Sequence, residues 1–359
     1  MIPYGRQSVD DDDIAAVVAV LKGDWLTQGP HVAEFEDHLC EVTGARHAVA
    51  FANGTAALHG ATHTAGLGPG QVAYTSPLSF AASANCVRYV GAEARFVDID
   101  RDTLNLDLTL VPADADAVIA VHYAGLPVDL SGLARRPRVV IEDAAHAIGA
   151  STPDGPVGNC AHSDLCCFSF HPVKTVTTGE GGAVTTNSDE LADRLRTFRH
   201  HGIRPAPDQG AWVYDIPELG FNYRLTDMQA ALGTSQLAKL ERFVDRRNQL
   251  AARYRVLLAD VDVVLPPAAP TGWRHAHHLF AVQVDERDRV FAELRAAGIG
   301  VQVHYVPTYR FGAYIDAGQG PDDFPETERA YAGLVSLPLF PDLTDDEQDT
   351  VVATLRDVL

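Results

Sequence analysis

The sequence predicts an α/β protein: a large domain built on a mainly parallel sheet flanked by helices, followed by a small C-terminal α+β domain. Three observations carry this. Short apolar, β-branched runs alternate with helical periodicities from residue 48 to residue 186, the pattern of a parallel sheet covered on both faces. A long Ala- and Leu-rich helical pattern follows, and after it comes a mixed α and β segment. The length of 359 residues exceeds what one core fills and suggests two domains, which we expect at residues 1–240 and 241–359.

Ser8 to Asp11 has the spacing of a capping box, and Ile14, Val17, Val18 and Leu21 recur at helical spacing behind an acidic first turn. This predicts an amphipathic helix. A second helix carries Val32, Phe35, Leu39 and Val42 and stops at Gly44, where a C-terminal glycine belongs. Strands are expected at Ala48 to Ala52, Val72 to Ser76, Ala94 to Asp98, Ala117 to Tyr123, Val139 to Asp143, Leu165 to Phe170 and Ala183 to Thr186. Thr226, with Gln229 three residues on, opens a helical pattern that runs to about Leu258. Beyond it we expect a strand at His278 to Val284, a helix near Arg287 to Ala297, a strand at Gly300 to Tyr305 and one or two closing helices.

Composition bounds the function. The formal charge of −20, from 28 basic and 48 acidic side chains, argues against a nucleic-acid partner or an anionic membrane surface. Five cysteines form no CxxC pair and read as buried thiols of a reducing compartment. The N-terminus lacks a basic and apolar leader, and no run approaches a membrane span, so a cytoplasmic protein is expected. His275, His277 and His278, or His200 and His201, lack a carboxylate or cysteine at ligand spacing, and no metal site is expected.

The chemistry centres on FSFHPVKTVTTGEGG, residues 168–182. Lys174 follows a buried strand and precedes a glycine-dense turn. A lysine there is either a solvated loop residue or a desolvated amine that has become a nucleophile. Asp143 ends the run VVIED and is either a ligand-facing carboxylate at a strand end or the cap of the segment after it. The turn NGTAAL, from Asn53, is either a phosphate cradle or an ordinary capped helix. Ser169 offers a further hydroxyl. Amine, carboxylate and phosphate cradle are the three handles that pyridoxal phosphate requires. Phe80 either stacks on its ring or packs in the core. His171, three residues before Lys174, either tunes the lysine or is a packed loop residue.

These motifs, with WLTQGPHVAEFE from Trp25, EDAAHAIG from Glu142 and GFNYRLTDMQAALGTSQL from Gly220, resemble the DegT-like sugar aminotransferases. The resemblance spans nearly the whole chain and implies a fold-type I pyridoxal phosphate enzyme. It implies that Lys174 is the Schiff-base lysine and proton shuttle, and that Asp143 pairs with the pyridine nitrogen. Thr55, Ala56 and Ser169 would bind the phosphate, and Asn222 would arrive from the neighbouring subunit of a homodimer. His146 stands where many members carry glutamine near the cofactor's phenolic oxygen. In this, and in FSFHPVK followed by TTGEGG, the chain resembles the subgroup that aminates C4 of UDP-linked 4-keto-6-deoxy-N-acetylhexosamines on the way to pseudaminic acid. By that likeness Tyr4, Asp24, Trp25, Leu26, Thr27, Val303, His304 and Tyr305 would line the sugar-nucleotide site, with L-glutamate as amino donor. Arg224 and Arg310 are either diphosphate ligands or members of surface ion pairs. Amination of another ketosugar or cyclitol, or a catalytically silent subunit, are the competing readings.

Overall fold

The computed structural model describes residues 1–133, 135–315 and 318–359. Its centre is a seven-stranded sheet in the order β1-β9-β8-β5-β4-β2-β3. The strands are β1 (His47–Phe51), β2 (Val72–Thr75), β3 (Glu93–Phe96), β4 (Ala117–Val121), β5 (Val139–Asp143), β8 (Leu165–Ser169) and β9 (Gly182–Thr186). The two-residue ribbons β6 (Ser151–Thr152) with β7 (Gly155–Pro156), and β10 (Arg204–Pro205) with β11 (Tyr214–Asp215), lie outside it. Pairing is parallel from β8 through β5, β4 and β2 to β3, and β9 runs antiparallel to both neighbours. All seven predicted strands form, within one or two residues at each end.

Alternation along the strands sorts their side chains between two layers. Val49, Phe51, Ile119, Ile141 and Val184 face α3 (Gly54–Thr64), α4 (Ala82–Tyr89) and α5 (Asp189–Arg199). Ala48, Ala50, Cys166, Phe168 and Ala183 face α2 (Pro30–Thr43), α6 (Asp227–Leu237) and α7 (Leu240–Leu257). With both faces covered, each large side chain buried contributes roughly 1.5–3 kcal/mol. A further core lies where the second half of α7, α8 (Arg287–Ala296) and α10 (Asp345–Val358) pack around β12 (Phe280–Gln283) and β13 (Leu334–Leu337). The helix α9 (Pro325–Gly333) leads directly into β13.

The structure corrects four expectations. The helical pattern after Thr226 is interrupted by a turn at Ala238–Lys239 that separates α6 from α7, and Lys239 in that turn pairs with Asp10 and Asp13. Gly300 to Tyr305 is not a strand; only Gln302 bridges to Ser336 before the chain turns away. The first capping box is formed by Asp10 and Asp13, not Ser8 and Asp11, at the start of α1 (Asp11–Lys22). Finally, α1 is turned over: Ile14, Val18 and Leu21 are exposed, while Asp13 and Val20 are buried. Asp13 accepts hydrogen bonds from Ser235 Oγ at 2.6 Å and Gln236 Nε2 at 2.7 Å, and pairs with Lys239 Nζ at 2.9 Å. A buried carboxylate with three partners sets the roll of this helix, because an unpaired one would cost several kcal/mol.

Candidate active site

The carboxyl ends of β1, β4, β5 and β8 open on a cavity of about 700 Å³, the position where open α/β sheets bind ligands. Lys174 lies in the turn between β8 and β9. Phe170 anchors that turn at both ends, donating its N–H to Gly181 O at 2.8 Å and accepting from Thr178 N at 3.0 Å and Thr177 Oγ1 at 3.0 Å. Glycine is required where this turn meets the start of α3. A Cβ on Gly182 would lie 2.5 Å from the Asn53 carbonyl, and one on Gly54 would lie 2.8 Å from Ser169 Cβ. The GEGG and NGT motifs therefore interlock, which brings the amino end of α3 beside Ser169.

Burial pushes the Lys174 amine down to about 8, against the opposing pull of the Asp143 charge. Asp143 is itself buried and held at both oxygens, Oδ2 by Ser83 Oγ at 2.6 Å and Oδ1 by Ala145 N at 3.1 Å. Since Ser83 gives its one hydrogen to the carboxylate, Ser79 Oγ, 2.6 Å away, must be the donor to Ser83. At the opposite wall Asn53 Oδ1 caps α3 by accepting from Ala56 N at 2.8 Å. The first-turn amides of this helix and the Ser169 side chain face the same space, an arrangement suited to an anion.

His146 is buried beside this group. Its Nε2 lies 3.0 Å from Tyr305 Oη, its ring packs against His278 with centroids 4.3 Å apart, and its Nδ1 has no partner. Burial, then the nearby Lys174 charge, holds the His146 imidazole well below its usual titration range and therefore neutral. His304, pushed down to about 4 by burial and then by Lys174, packs with its ring centroid 5.3 Å from that of Tyr4 and tilted by 49°, and both line the cavity. Phe80 also lines the cavity and is 61% exposed, so it is not a core residue. His171 is exposed and lies at the cavity wall.

Of the expected site residues, Tyr4, Thr55, Ala56, Phe80, Asp143, His146, Ser169, Lys174, His304 and Tyr305 line this one cavity. Asp24, Trp25, Leu26, Thr27, Val303 and Asn222 do not line it in this chain. Asp24 to Thr27 and Asn222 are exposed, with Asn222 bridged to His200. Arg224 donates to His200 Nδ1 at 2.9 Å, and Arg310 is paired with Glu328, so neither guanidinium reaches the cavity. Ser83 and His278 were missed from sequence. Ser83 lies in the first turn of α4, and nothing local to it signals a partner 60 residues away. His278 was hidden among neighbouring histidines weighed as metal ligands. No group of three metal-ligating side chains occurs among the described residues, and none of their helices is long and apolar enough to cross a membrane.

This donor set fits pyridoxal phosphate: a depressed amine, a fixed carboxylate, a helix start with a hydroxyl beside it, an exposed aromatic ring, and an unpartnered buried nitrogen at His146. The relatives agree. The chain is 34% identical to the spore coat polysaccharide biosynthesis protein SpsC of Bacillus subtilis, over all of this chain and 97% of that protein. Its fold matches Spr1654 of Streptococcus pneumoniae, described as a sugar aminotransferase and solved in its PMP form. The TM-score is 0.94 at 27% identity, covering 100% of this chain and 99% of that one. It also matches Helicobacter pylori PseC, described as an aminotransferase involved in pseudaminic acid biosynthesis, with a TM-score of 0.92 at 28% identity over 99% and 98% of the two chains. The family model for these enzymes matches residues 7–356, and with the lysine, carboxylate and anion cradle assembled in one cavity the chain belongs to the DegT/DnrJ/EryC1/StrS aminotransferase family, the pyridoxal phosphate-dependent sugar aminotransferases.

Proposed function

We propose that the protein moves the amino group of L-glutamate to C4 of a UDP-linked 4-keto-6-deoxy-N-acetylhexosamine, releasing 2-oxoglutarate and the 4-amino sugar nucleotide. The observation that carries this reading is His146 placed beside Lys174 and tied to Tyr305, with Tyr4 and His304 lining the same cavity. The likeness to PseC supports it.

Pyridoxal phosphate, when bound, supplies an aldehyde that takes up amines and a ring that withdraws electrons from the carbon bearing them. Thr55, Ala56 and Ser169 would hold its phosphate, Asp143 would keep the ring nitrogen protonated, and Phe80 would lie against the ring. Lys174 Nζ takes a proton from the donor's α-carbon and, in the second half of the exchange, gives one to C4 of the sugar. A group poised near 8 performs both transfers near neutral pH, because neither protonation state is far out of reach. Ser83 and the Ala145 amide keep the Asp143 carboxylate from turning away as charge develops.

The active unit proposed is a homodimer, in which Asn222 and the Asp24 to Thr27 segment serve the partner's cavity. Their exposure, together with that of Trp212 (83%) and Leu219 (85%), supports this. Mixing the inactive variants Lys174→Ala and Asn222→Ala would then restore activity, since a mixed dimer holds one intact site; no recovery on subunit exchange would count against sharing.

The substrate is tested by mass spectrometry of products after the protein is given L-glutamate and a pool of UDP- and dTDP-linked 3-keto and 4-keto sugars. Selective amination of the UDP-linked 4-keto-6-deoxy-N-acetyl sugar is expected. Amination of another ketone with that sugar untouched would replace the substrate and keep the transaminase.

A further inference from the structure

The contact between Tyr305 and His146 decides where a proton sits. Tyr305 Oη is 3.0 Å from His146 Nε2, with the two ring planes 15° apart. Tyr305 is packed beneath neighbouring aromatic groups, and burial raises its phenol well above the usual tyrosine range, so the O–H is retained. Its hydroxyl makes one hydrogen bond among the described residues, the one to His146. Were the imidazole proton on Nε2, the phenol would have to accept, and its own hydrogen would have no acceptor among the described residues. With the phenol donating, Nε2 accepts and the ring proton moves to Nδ1.

That nitrogen is buried and has no partner, and neither has Nδ1 of His278, whose ring lies against it, so the two do not bond to each other. Tyr305 is itself fixed from behind. Tyr123 Oη donates to the carbonyl of His304 at 2.6 Å, and His304 Nδ1 lies 2.9 Å from Ser336 Oγ. The phenol is therefore delivered to His146 by a braced segment.

The geometry points to Tyr305 as a positioning residue that locks His146 in its Nδ1–H tautomer, so that a neutral donor waits in the cavity for a ligand oxygen carrying negative charge. The consequence for catalysis is electrostatic. A neutral imidazole stabilises an oxygen anion without placing a second positive charge beside Lys174, which would further weaken the lysine as a base. The identity of the acceptor, an oxygen of the bound cofactor, rests on the reading proposed above; the tautomer is a property of the protein alone.

Long-range nitrogen–proton NMR on histidine-labelled, cofactor-free protein reads it directly. His146 is expected to carry its proton on Nδ1 in the wild type and to lose that preference in Tyr305→Phe. With cofactor and substrates present, Tyr305→Phe should lower kcat about tenfold. In a His146→Gln background, where the amide donor needs no tautomer, the same substitution should cost less than about twofold. An Nε2–H tautomer in the wild type would overturn the inference, as would an equal loss from Tyr305→Phe in both backgrounds. If instead the proposed sugar is the wrong one, wild-type turnover fails while the NMR result stands.

Discussion

Ser83 Oγ lies 2.6 Å from Asp143 Oδ2 and spends its hydrogen there, so a helix that contributes no charge to the site governs the aim of its carboxylate. A hydrogen bond to a charged group is worth about 1.5–3 kcal/mol. Ser83→Ala should therefore weaken cofactor binding by roughly tenfold or more, read by titrating the visible absorbance of the bound cofactor. Unchanged affinity would show that Ala145 N alone holds Asp143 in place.

Lys174→Ala removes the proton carrier and leaves the phosphate and ring contacts in place. Turnover should fall by at least roughly 10²-fold while the cofactor still co-purifies or rebinds on dialysis. Full activity in this variant would sink the assignment of Lys174.

The depressed lysine also marks stability in the cofactor-free protein. An unfolded lysine titrates near 10.5 and Lys174 near 8 when folded. Between these values the unfolded chain binds more protons, so stability rises with pH across that window; below about 8 the cost of burying the ammonium is carried in full. Comparing urea denaturation of the wild type with Lys174→Met from about pH 7 to about pH 10 isolates this group from the buried thiols. The wild type should gain on the variant as pH rises, and parallel curves would refute the shift.

Asp13 is the hinge pin of α1. Asp13→Ala leaves Ser235 without its acceptor, Gln236 with the Ser8 carbonyl alone and Lys239 with Asp10 alone, and should cost about 3 kcal/mol of stability. Proteolysis is expected to release the first 22 or so residues before the rest. A loss below about 1 kcal/mol would mean that solvent replaces the carboxylate freely.

The centre of the sheet was legible because β4 and β5 are buried on both faces and read as short β-branched runs. Asp143 and Lys174 stood out as charges near strand ends, each with an ordinary alternative until they were read together with the phosphate cradle and the family motifs. Position along a chain does not reveal what a tertiary network selects. Periodicity gave α1 an apolar stripe containing Ile14, Val18 and Leu21 but not its orientation, and the Asp13 contacts leave those three exposed. The alternating Val301 and Val303 read as a strand, but one bridge at Gln302 is all the pairing there is, and the chain then turns Tyr305 toward His146. Ser83 and His278 act through partners far away in sequence, which no local pattern encodes.

The close approach of Gly54 to Ser169, and of Gly182 to Asn53, makes three separate motifs a single mechanical part. Side chains added singly at Gly54 or Gly182 meet backbone or a fixed Cβ that cannot retreat without moving α3. The clash at Gly182 is with backbone, which no second side-chain change can relieve, so any drift between these motifs must move the start of α3 as a whole, and a mutational library will record Gly182 as immutable.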